Sequence, residues 1–403
     1  MNDQLKILVI SQYYYPEPFR VHDICEELVK RGHEVTVVTG EPNYPEGVIY
    51  PGYEKHQKAN EVKNGVVIHR CPIQPRKTGA FHRFLNYYSY SRMAKKYVKR
   101  LKASDGKPFD VAFVNQLSPV MMAEPAITYR KKYKTPVVLY CLDLWPESLV
   151  TGGIKRNSTV YKIFHGVSKR IYRSVDRILV TSRSFREYFR DQFGMADVSQ
   201  IGYLPQYAES LFEKLPYHQP EETINLLFAG NIGAAQSVDT IIEAAKRMQG
   251  QNVRFHIVGG GTELENLQKE AKELPNVIFY GRRPVEEMSE FYAKADAMLV
   301  TLVKDPVLSY TLPGKVQSYM AAQKPVIGAV DGETAKVIRE ANCGYCGGAE
   351  NVDELVENIQ AFIQCQEKEQ LGLHARAYYE AHFAKQIFMD RLESFLRQNS
   401  SKQ

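Results

Sequence analysis

The stretch Ser309–Glu333 reads SYTLPGKVQSYMAAQKPVIGAVDGE and combines a loop, a helix and a short strand. Pro313 and Gly314 end the loop and open the helix, which places Lys315 in the first helical turn. The run Lys324–Gly328 is typical of a buried strand that ends in a glycine-rich loop. A helix N-terminus presents unpaired N–H groups, and a lysine beside them adds positive charge. The stretch therefore predicts an anion site, with a solvated lysine at a helix start as the alternative.

The residues before this stretch repeat one unit, an apolar strand followed by a glycine-containing loop and a helix. Each strand is mostly apolar, which indicates burial on both faces of a parallel sheet. The repeats predict a doubly wound α/β domain in the second half of the chain. They comprise strand Ile224–Ala229 with helix Ser237–Met248, strand Val253–Val258 with helix Glu263–Lys272, strand Val277–Tyr280 with helix Val285–Lys294, and strand Ala297–Leu302.

The first half of the chain follows the same plan. Strand Leu5–Ile10, helix Val21–Arg31 and strand Glu34–Thr39 form a βαβ opening, which requires a parallel sheet. Further strands are predicted at Gly65–Arg70, Val111–Asn115, Val137–Cys141 and Arg177–Thr181. We predict an N-terminal domain over 1–205, a proline-containing linker over 206–222, a second domain over 223–383 and a C-terminal helix over 384–403.

Composition limits the possible classes of protein. A chain of 403 residues suits two or three domains, and 44% apolar content is ordinary for a folded protein. The net charge of +6 is mild, so binding of nucleic acid by the whole protein is not expected. Neither a signal peptide nor a long apolar run is visible. Six cysteines include one Cys-x-x-Cys, Cys343 and Cys346, without a second pair nearby, which favours free thiols and a reducing cytosol.

One segment is strongly basic. Arg76–Ser104 carries nine Lys or Arg residues, no Asp or Glu, and six Phe or Tyr residues. A solvated helix face with an aromatic core stripe would produce the same pattern, and nucleic acid would use the same charge. We favour contact with an anionic membrane surface. The predicted membrane residues are Lys95, Lys96, Lys99 and Arg100.

Two loops after strands of the first domain carry polar side chains. The carboxyl ends of parallel strands are where such sheets bind ligands. Asp143 and Glu147 follow strand Val137–Cys141, beside the only tryptophan, Trp145. Asp143 suits a base that orients an acceptor hydroxyl, or a residue that caps the next turn. The predicted acceptor-binding residues in and after the loop Ser11–Arg20 are Glu17, Arg20 and His22.

Several motifs, in order along nearly the whole chain, resemble glycosyltransferase family 4. The narrower resemblance is to bacterial O-antigen and capsule enzymes that transfer N-acetylfucosamine or related amino sugars. The motifs are Pro16–Arg20, Arg31–Val37, Pro42–Gly47, Asp143–Ser148, Tyr203–Glu209, Gly230–Gly233 with Ala235-Gln236, Gly281–Pro284, and Pro313–Lys315 through Ala322.

The resemblance implies a GT-B fold, in which two Rossmann-like domains face a cleft and the C-terminal helix returns to the N-terminal domain. It implies a UDP-sugar donor, a lipid-linked (polyprenyl diphosphate) glycan acceptor and retention of configuration. It also implies a cytoplasmic enzyme at the inner face of the plasma membrane that acts in polysaccharide synthesis. Neither a cofactor nor nucleic acid is expected.

The sequence departs from the family at four positions. Many members place an Arg and a Lys where this chain has Asn231 and Gln236, and two glutamates where it has Tyr310 and Ser318. No Asp-x-Asp occurs, so a metal-independent site is expected, with Lys315 and helix N–H groups meeting the charge of the leaving phosphate. Catalytic candidates are Lys315, Asp143 and Glu147; donor-binding candidates are Gly230, Asn231, Gly233, Gln236, Gly281, Arg282, Gly314, Ser318 and Glu333.

Two other functions fit the same architecture. A UDP-sugar 2-epimerase would convert the donor without an acceptor and would need more acid and base residues than the motifs supply. A non-catalytic scaffold that binds nucleotide sugars would account for the four departures. It would bind nucleotide without turnover. Glu333 has its own alternative, as an acid that favours the N-terminus of the helix it precedes.

Overall fold

The computed structural model describes residues 4–75, 80–151, 153–195, 198–213, 215 and 222–401. The start of the basic segment, Arg76 and Lys77, and two prolines of the predicted linker, Pro216 and Pro220, lie outside the described residues. The chain divides into two compact units. One comprises 1–181, 189–204 and 389–403, and the other comprises 182–188 and 205–388.

The strands of the two units form separate sheets. In the described part of the first unit, the order is β3-β4-β2-β1-β5-β6-β7-β8, and every pair is parallel except β3–β4. The strands are β1 Lys6–Ile10, β2 Glu34–Gly40, β3 Asn60–Lys63, β4 Val66–Cys71, β5 Val111–Gln116, β6 Val137–Cys141, β7 Arg177–Val180 and β8 Ile201–Tyr203. Those of the second unit are β9 Ile224–Ala229, β10 Val253–Val258, β11 Val277–Gly281, β12 Ala297–Thr301, β13 Val326–Ala329 and β14 Gly344–Gly347.

Helices connect the strands of each sheet. In the first half they are α1 Val21–Lys30, α2 Ala80–Val98, α3 Glu124–Tyr133, α4 Ser148–Thr151, α5 Thr159–Tyr172 and α6 Phe185–Phe193. In the second half they are α7 Val238–Arg247, α8 Leu264–Glu270, α9 Met288–Lys294, α10 Gly314–Ala321, α11 Gly332–Glu340, α12 Val352–Gln364, α13 Lys368–His382 and α14 Lys385–Gln398.

The second unit's sheet has the order β11-β10-β9-β12-β13-β14 among the described residues, and all its pairs are parallel. Its central strand β9 is buried on both faces. Leu226 and Phe228 belong to one hydrophobic cluster, whereas Leu227 and Ala229 belong to the other. Because side chains alternate across a strand, these four consecutive apolar residues mean that both faces are covered. The two Rossmann-like sheets confirm the predicted fold class.

The C-terminal helix α14 packs on the first unit, as expected from the family resemblance. Arg31, at the end of α1, donates from Nη1 to Asp390 at 2.7 Å and to Glu393 at 3.1 Å. After the helix, the Ser401 backbone N–H donates to the Asp110 carbonyl at 3.0 Å. These contacts join the last residues of the chain to the first unit, in which β1 and α1 lie.

Three strands, β3, β8 and β14, were not predicted, and one helix begins later than predicted. Strand β3 is polar and pairs only along one edge, and β14 reads GYCG, a composition that disfavours strands. Neighbouring strands supply their backbone partners in the structure. The predicted helix over 285–294 starts as a 3₁₀ turn over 285–287, and α9 begins at Met288. The predicted linker contains a 3₁₀ turn at Ser210–Phe212.

The parallel order places the loops that carry the candidate residues at the carboxyl edge of each sheet. In the first unit these loops follow β1, β2, β5 and β6, and in the second unit they follow β9, β10 and β11. Among the described residues, no helix is long and apolar enough to cross a membrane.

Candidate functional site

Lys315 and Gln236 meet at the carboxyl edge of the second unit's sheet. Helix α10 begins at Gly314, directly after the extended residue Pro313, so Lys315 stands in the first turn as predicted. Its Nζ donates to Oε1 of Gln236 at 2.7 Å and lies 3.9 Å from the centroid of the Phe228 ring. Burial lowers the pKa of Lys315 to about 7. An anion would restore the charge, because a negative neighbour favours the protonated amine.

The loop after β9 passes directly under this amine. A Cβ atom on Gly230 would lie 2.9 Å from the Lys315 Nζ, and the Gly230 φ of +150° disfavours other residues. The next glycine loop is equally close, because a Cβ on Gly259 would lie 1.8 Å from the Gly230 carbonyl oxygen. Backbone hydrogen bonds from Gly230 to Val258 and from Ile232 to Gly260 hold the loops together at 3.0 and 2.9 Å. Glycine here keeps the space around the lysine open.

The other predicted donor-binding residues of the glycine loops lie at the carboxyl ends of β9 and β11, next to the loop that follows β10. Asn231 is exposed, and its Nδ2 lies 2.7 Å from the position of a Cβ on Gly233. The Gly281 carbonyl accepts from Gly259 N–H at 2.9 Å, which joins the third loop to the second. Arg282 follows it and is exposed, with its Cβ 3.6 Å from the Cβ position of Gly260. The predicted donor loops therefore form one neighbourhood.

Ser318 lies one turn after Gly314 in α10 and is buried. Its Oγ donates to Oε2 of Glu209 at 3.2 Å. Glu209 precedes the 3₁₀ turn Ser210–Phe212 and was not among the predicted site residues. The family motif Tyr203–Glu209 contains it, but nothing in the sequence relates that motif to α10. A carboxylate thus reaches the first turns of α10 from a distant segment.

Glu333 is buried in the first turn of α11, and both of its oxygens have partners. Oε1 accepts from the Arg183 backbone N–H at 3.2 Å, and Oε2 accepts from the Ser184 hydroxyl at 2.6 Å. The Arg183 guanidinium lies 3.4 Å away. This arrangement matches the alternative interpretation of Glu333 as an acid at a helix N-terminus, because protein groups occupy both oxygens.

Asp143 lies after β6 in the first unit and is held by two hydroxyl groups. Its Oδ2 accepts from Ser118 Oγ, which lies 2.8 Å from Ser148 Oγ. Gln116 donates from Nε2 to the Asp143 carbonyl at 2.9 Å, which fixes the loop to the end of β5. Burial raises the pKa of Asp143, and the hydroxyls of Ser118 and Ser148 act against that rise. A carboxylate with a raised pKa suits proton transfer.

Glu147, four residues further along, has a different environment. It is buried, and its Oε2 accepts from Arg156 Nε at 3.0 Å. Its Oε1 accepts from the Tyr161 hydroxyl at 2.5 Å. Since one ion pair and one hydroxyl occupy its oxygens, Glu147 stabilises the loop between α4 and α5. Trp145 is buried and packs edge-on against Phe164 of α5 at 5.0 Å, which matches the core interpretation of this residue.

The three predicted acceptor residues have different environments. Glu17 is buried, and its carboxylate accepts from the backbone N–H groups of Asn43 and Tyr44 at 2.8 Å and of Tyr14 at 3.2 Å. It therefore joins the loops after β1 and β2. Burial raises the pKa of Glu17 to about 7, against the opposite effect of those N–H groups.

Arg20 and His22 lie at the start of α1. Arg20 is partly buried, and its charge acts on the Tyr140 hydroxyl at the end of β6. His22 is partly buried and contacts the Tyr15 ring edge-on at 6.4 Å. Its Nδ1 is buried and has no hydrogen-bond partner among the described residues.

The predicted membrane residues lie at the end of α2 and just beyond it. Lys95 forms an ion pair with Glu124 at 2.5 Å, and this carboxylate offsets the positive charge of Lys95. Lys96, Lys99 and Arg100 are exposed. Among the described residues, no group of three or more His, Cys, Asp or Glu side chains is arranged to hold a metal ion.

Two family models match most of the chain. Residues 19–203 match a model described as "Glycosyl transferase 4-like domain", and residues 212–377 match one described as "Glycosyl transferases group 1". The chain is a family 4 glycosyltransferase. This confirms the resemblance to family 4, and the two matched regions contain most strands of the two Rossmann-like sheets.

Curated relatives and solved structures agree with that family. The glycosyltransferase is 23% identical to the "Probable glycosyltransferase WbjE" of Pseudomonas aeruginosa, over 69% of this chain and 72% of that protein. It is 24% identical to the "Putative colanic acid biosynthesis glycosyl transferase WcaI" of Escherichia coli, over 79% and 81%.

Among solved structures, sucrose-phosphate synthase from Thermosynechococcus elongatus has a TM-score of 0.74 at 17% identity, and 98% of each chain is covered. Anabaena Alr3699/HepE in complex with UDP has a TM-score of 0.70 at 13% identity, with 98% of this chain and all of that chain covered. At these identities the likeness shows the fold, which is the GT-B fold of this glycosyltransferase.

Proposed function

We propose that this glycosyltransferase transfers a sugar from a UDP-sugar to a lipid-linked glycan acceptor during synthesis of a cell-surface polysaccharide. The sugar is an N-acetylated amino sugar, the acceptor a polyprenyl diphosphate glycan, and the reaction proceeds with retention. The single observation that carries the proposal is the Lys315 amine between Gln236 and Gly230 at the N-terminus of α10. Relatives named for glycosyl transfer and colanic acid synthesis support the polysaccharide.

In this proposal the Lys315 amine and the backbone N–H groups of Gly314 and Lys315 stabilise the diphosphate as it leaves, whereas the Val316 N–H already donates to the Pro313 carbonyl at 2.9 Å. Charge grows on the diphosphate while the glycosidic bond breaks, and fixed donors stabilise that change. The neutral amine takes up a proton when the diphosphate binds, which avoids an isolated buried charge in the empty site. The UDP complex of the Anabaena neighbour supports UDP as the nucleotide.

Glu209 and Ser318 bind the hydroxyl-bearing part of the donor. An ionised carboxylate only accepts hydrogen bonds, so beside a sugar nucleotide it fits hydroxyl groups rather than phosphate. The contact of Glu209 with Ser318 brings a carboxylate to a position where the sequence has none. We assign Glu209 to the site in place of the absent family glutamate at position 318.

On the acceptor side, Asp143 accepts or orients the proton of the attacking hydroxyl. Its raised pKa and its two hydroxyl partners support that role. If the reaction retains configuration, the leaving phosphate is a second possible proton acceptor, and Asp143 then positions the hydroxyl. Glu17 and Glu147 keep the surrounding loops in place through contacts within the protein.

Thermal stabilisation by nucleotides tests this function first. We expect UDP and UDP-sugars to raise the melting temperature, with equal shifts in the presence and absence of EDTA. The donor with the largest shift is then supplied with membrane extracts that contain lipid-linked glycans, and transfer is followed with a radiolabelled sugar. No shift with any nucleotide would contradict the proposal. Conversion of the donor without an acceptor would favour an epimerase.

A further inference from the structure

A cavity of about 550 Å³ lies in the second unit, between one face of its sheet and helix α9. Asn225, His256 and Tyr280 line it from strands β9, β10 and β11, and Phe291 lines it from α9. Its volume is within the range of roughly 300–1,000 Å³ that small-molecule sites occupy. None of the described residues that line it is a predicted site residue. The cavity therefore offers room for a ligand that the predicted donor site does not account for.

The cavity and the predicted donor site use different parts of strand β9. Asn225 lies five residues before Gly230, which at a rise of about 3.3 Å per residue places the two about 16 Å apart. The Phe228 ring, which the Lys315 amine contacts, points to the opposite face of the strand from Asn225 because side chains alternate. A ligand in the cavity and a nucleotide beside Lys315 can therefore be bound together.

A chain of hydrogen bonds fixes one wall of the cavity. Asn225 donates from Nδ2 to the Thr223 carbonyl at 3.1 Å, and its Oδ1 accepts from His256 Nε2 at 3.0 Å. The other imidazole nitrogen, Nδ1, therefore accepts from the Tyr280 hydroxyl at 2.8 Å. Burial and the charge of Arg254 lower the pKa of His256, which favours this neutral imidazole. Because the Tyr280 proton is donated to His256, its oxygen presents an acceptor to a ligand.

Two aromatic rings form a corner of the cavity. The ring centroids of Tyr280 and Phe291 lie 4.9 Å apart, and the ring planes meet at 71°. The His256 ring lies nearly parallel to that of Tyr280, with 5.8 Å between the centroids. Buried Leu227 and Ala295 add aliphatic surface to the lining. This part of the cavity therefore suits a ligand that has an apolar face.

The charged side chains of the cavity are balanced in sign. They are two cations, Arg283 and Lys294, and two carboxylates, Glu287 and Glu290. Arg283 lies 3.7 Å from Glu287 and donates from Nε to the Tyr280 carbonyl at 3.2 Å. Glu290 and Lys294 are exposed and have no ion-pair partner in the part of the chain that the structure describes. A charged ligand would be repelled by one of the two pairs, so the balance favours a neutral one.

We infer that this cavity binds a neutral oligosaccharide. A sugar ring has a face of C–H groups that packs on aromatic rings, and hydroxyl groups at its rim that donate and accept hydrogen bonds. The corner between Tyr280 and Phe291 receives the C–H face. Glu290, Lys294 and the Tyr280 oxygen bind the hydroxyl groups. An extended peptide would instead pair with the backbone edge of β11, the outermost strand of the described sheet.

The oligosaccharide is a segment of the glycan that the enzyme elongates, and on this point the inference rests on the proposed function. A second contact with the same glycan raises its overall affinity without any new contact at the reacting sugar. The cavity residues are therefore binding residues rather than catalytic ones. Sugar binding can be measured without a donor, so it can fail while UDP binding succeeds, and the reverse.

Saturation-transfer NMR with the full-length chain tests the cavity. The neutral probes are N,N′-diacetylchitobiose, cellobiose and lactose, and the charged probes are the cationic glucosamine disaccharide and the anionic digalacturonic acid. We expect saturation transfer to at least one neutral sugar, with about tenfold weaker binding of the two charged sugars. The signal should persist when UDP is present in excess, because the nucleotide occupies a different part of the unit.

Two variants and a matched control locate the bound sugar. Glu290→Lys removes an acceptor and upsets the charge balance, so it should weaken binding of the neutral sugar about tenfold. Tyr280→Phe keeps the ring, removes the hydroxyl, and should weaken binding about threefold to tenfold. Glu357→Lys makes the same charge change at an exposed position of α12 outside the cavity and should bind as the unmodified chain does. The melting temperature of each variant verifies that the chain is folded.

Transfer kinetics identify the source of the bound sugar. If the occupant is the glycan that is elongated, Glu290→Lys should raise the KM for the lipid-linked acceptor more than it lowers kcat. An unchanged KM in a variant that has lost sugar binding would overturn this source and indicate a free sugar as the ligand. Sugar binding by a chain that shows no response to UDP would support the cavity and contradict the proposed function.

Three results would overturn the inference. One is no saturation transfer to any of the neutral sugars, or binding by Glu290→Lys and Tyr280→Phe equal to that of the unmodified chain. Another is displacement of the sugar by UDP, which would assign the binding to the donor site. The third is binding of a charged disaccharide as tight as that of the neutral sugars, which would contradict the argument from charge balance.

Discussion

The Lys315 amine donates a 2.7 Å hydrogen bond to the Gln236 side chain, although the two residues are 79 positions apart. Gln236 stands where many family members have a lysine. A second cation there would be repelled by Lys315, so the amide supplies a neutral acceptor for the single amine. This pair leaves Lys315 as the buried cation of the predicted donor site, with a protonation state that responds to the ligand, whereas Arg282 is exposed.

Nucleotide binding should depend on pH through Lys315. The pKa of Lys315 is about 7 in the free protein and should rise when a diphosphate binds. The protonated form of Lys315 binds more tightly, so affinity for UDP should fall as pH rises above 7. Calorimetry with UDP in buffers of different ionisation enthalpy measures the expected proton uptake at pH 8. Lys315→Met should lower affinity about tenfold or more and abolish proton uptake, whereas exposed Lys336→Met should leave both unchanged.

Gly230→Ala should impair the site by crowding this amine. The new Cβ would lie 2.9 Å from Lys315 Nζ. Gly250→Ala is the control, because Gly250 also has a positive φ, +79°, but nothing lies within 4 Å of its Cβ position. Both variants should lose about 1 kcal/mol of stability or somewhat more, measured by urea unfolding. Only Gly230→Ala should lose the melting-temperature shift with UDP, and equal shifts in both variants would separate Gly230 from the site.

Glu209→Gln should weaken binding of the hydroxyl-bearing part of the donor without weakening binding of its diphosphate. Removal of a hydroxyl-binding carboxylate should weaken UDP binding about tenfold. Binding of inorganic pyrophosphate should stay equal or become tighter, because a negative charge leaves the neighbourhood. Glu213→Gln is the control; Glu213 accepts from Tyr379 at 2.9 Å and lies four residues away in sequence. Equal losses for UDP and pyrophosphate would mean that Glu209 supports the fold of the loop instead.

The pH profile of transfer should reflect Asp143. Its pKa is raised by burial, so kcat/KM should increase as pH rises through that pKa, where the carboxylate becomes ionised. Ser118→Ala removes a hydrogen bond that lowers this pKa and should move the acid limb to higher pH. Buried Ser168, which donates to the Phe164 carbonyl, provides the control Ser168→Ala. Asp143→Asn should reduce kcat about 10²-fold or more. An unchanged profile would assign the proton to the leaving phosphate.

Glu17→Ala should destabilise the first unit and spare nucleotide binding. Three backbone N–H groups would lose their acceptor, at a cost of about 2 kcal/mol or more. Because folding raises the pKa of Glu17 from 4.5 to about 7, the folded state binds this proton more tightly than the unfolded state. The contribution of Glu17 to stability therefore falls as pH rises from 4.5 to 7. Urea unfolding followed by Trp145 fluorescence should show that this slope disappears in the variant.

Much of the fold follows from local patterns. The strands from β9 to β12 are mostly apolar, so their burial and parallel pairing were predictable without a structure. Strand β14 was missed because Gly344–Gly347 has little strand preference of its own, and β13 supplies its hydrogen bonds. The polar edge strand β3 was missed for the same reason.

The candidate site was predictable in its backbone and less so in its side chains. Gly230 and Lys315 were predicted because glycine loops and a helix N-terminus have recognisable sequences, and Gln236 was predicted from the family resemblance. The roles proposed for Glu17 and Glu147 did not anticipate their partners. Backbone N–H groups of two loops engage Glu17, and an ion pair with Arg156 engages Glu147. No sequence pattern encodes such partners when they come from other segments.

The sequence by itself determined most of the order of strands and helices and the two Rossmann-like sheets, because periodicity and glycine position are local properties, and its motifs indicated the glycosyltransferase family. Only the tertiary structure decided that Glu209 reaches Ser318, 109 residues away, and that Tyr280, His256 and Asn225 meet in a cavity beside α9. Side-chain neighbours and exposed surface depend on how distant segments pack. A sheet brings those segments together through backbone hydrogen bonds, and these bonds do not depend on which side chains the segments carry.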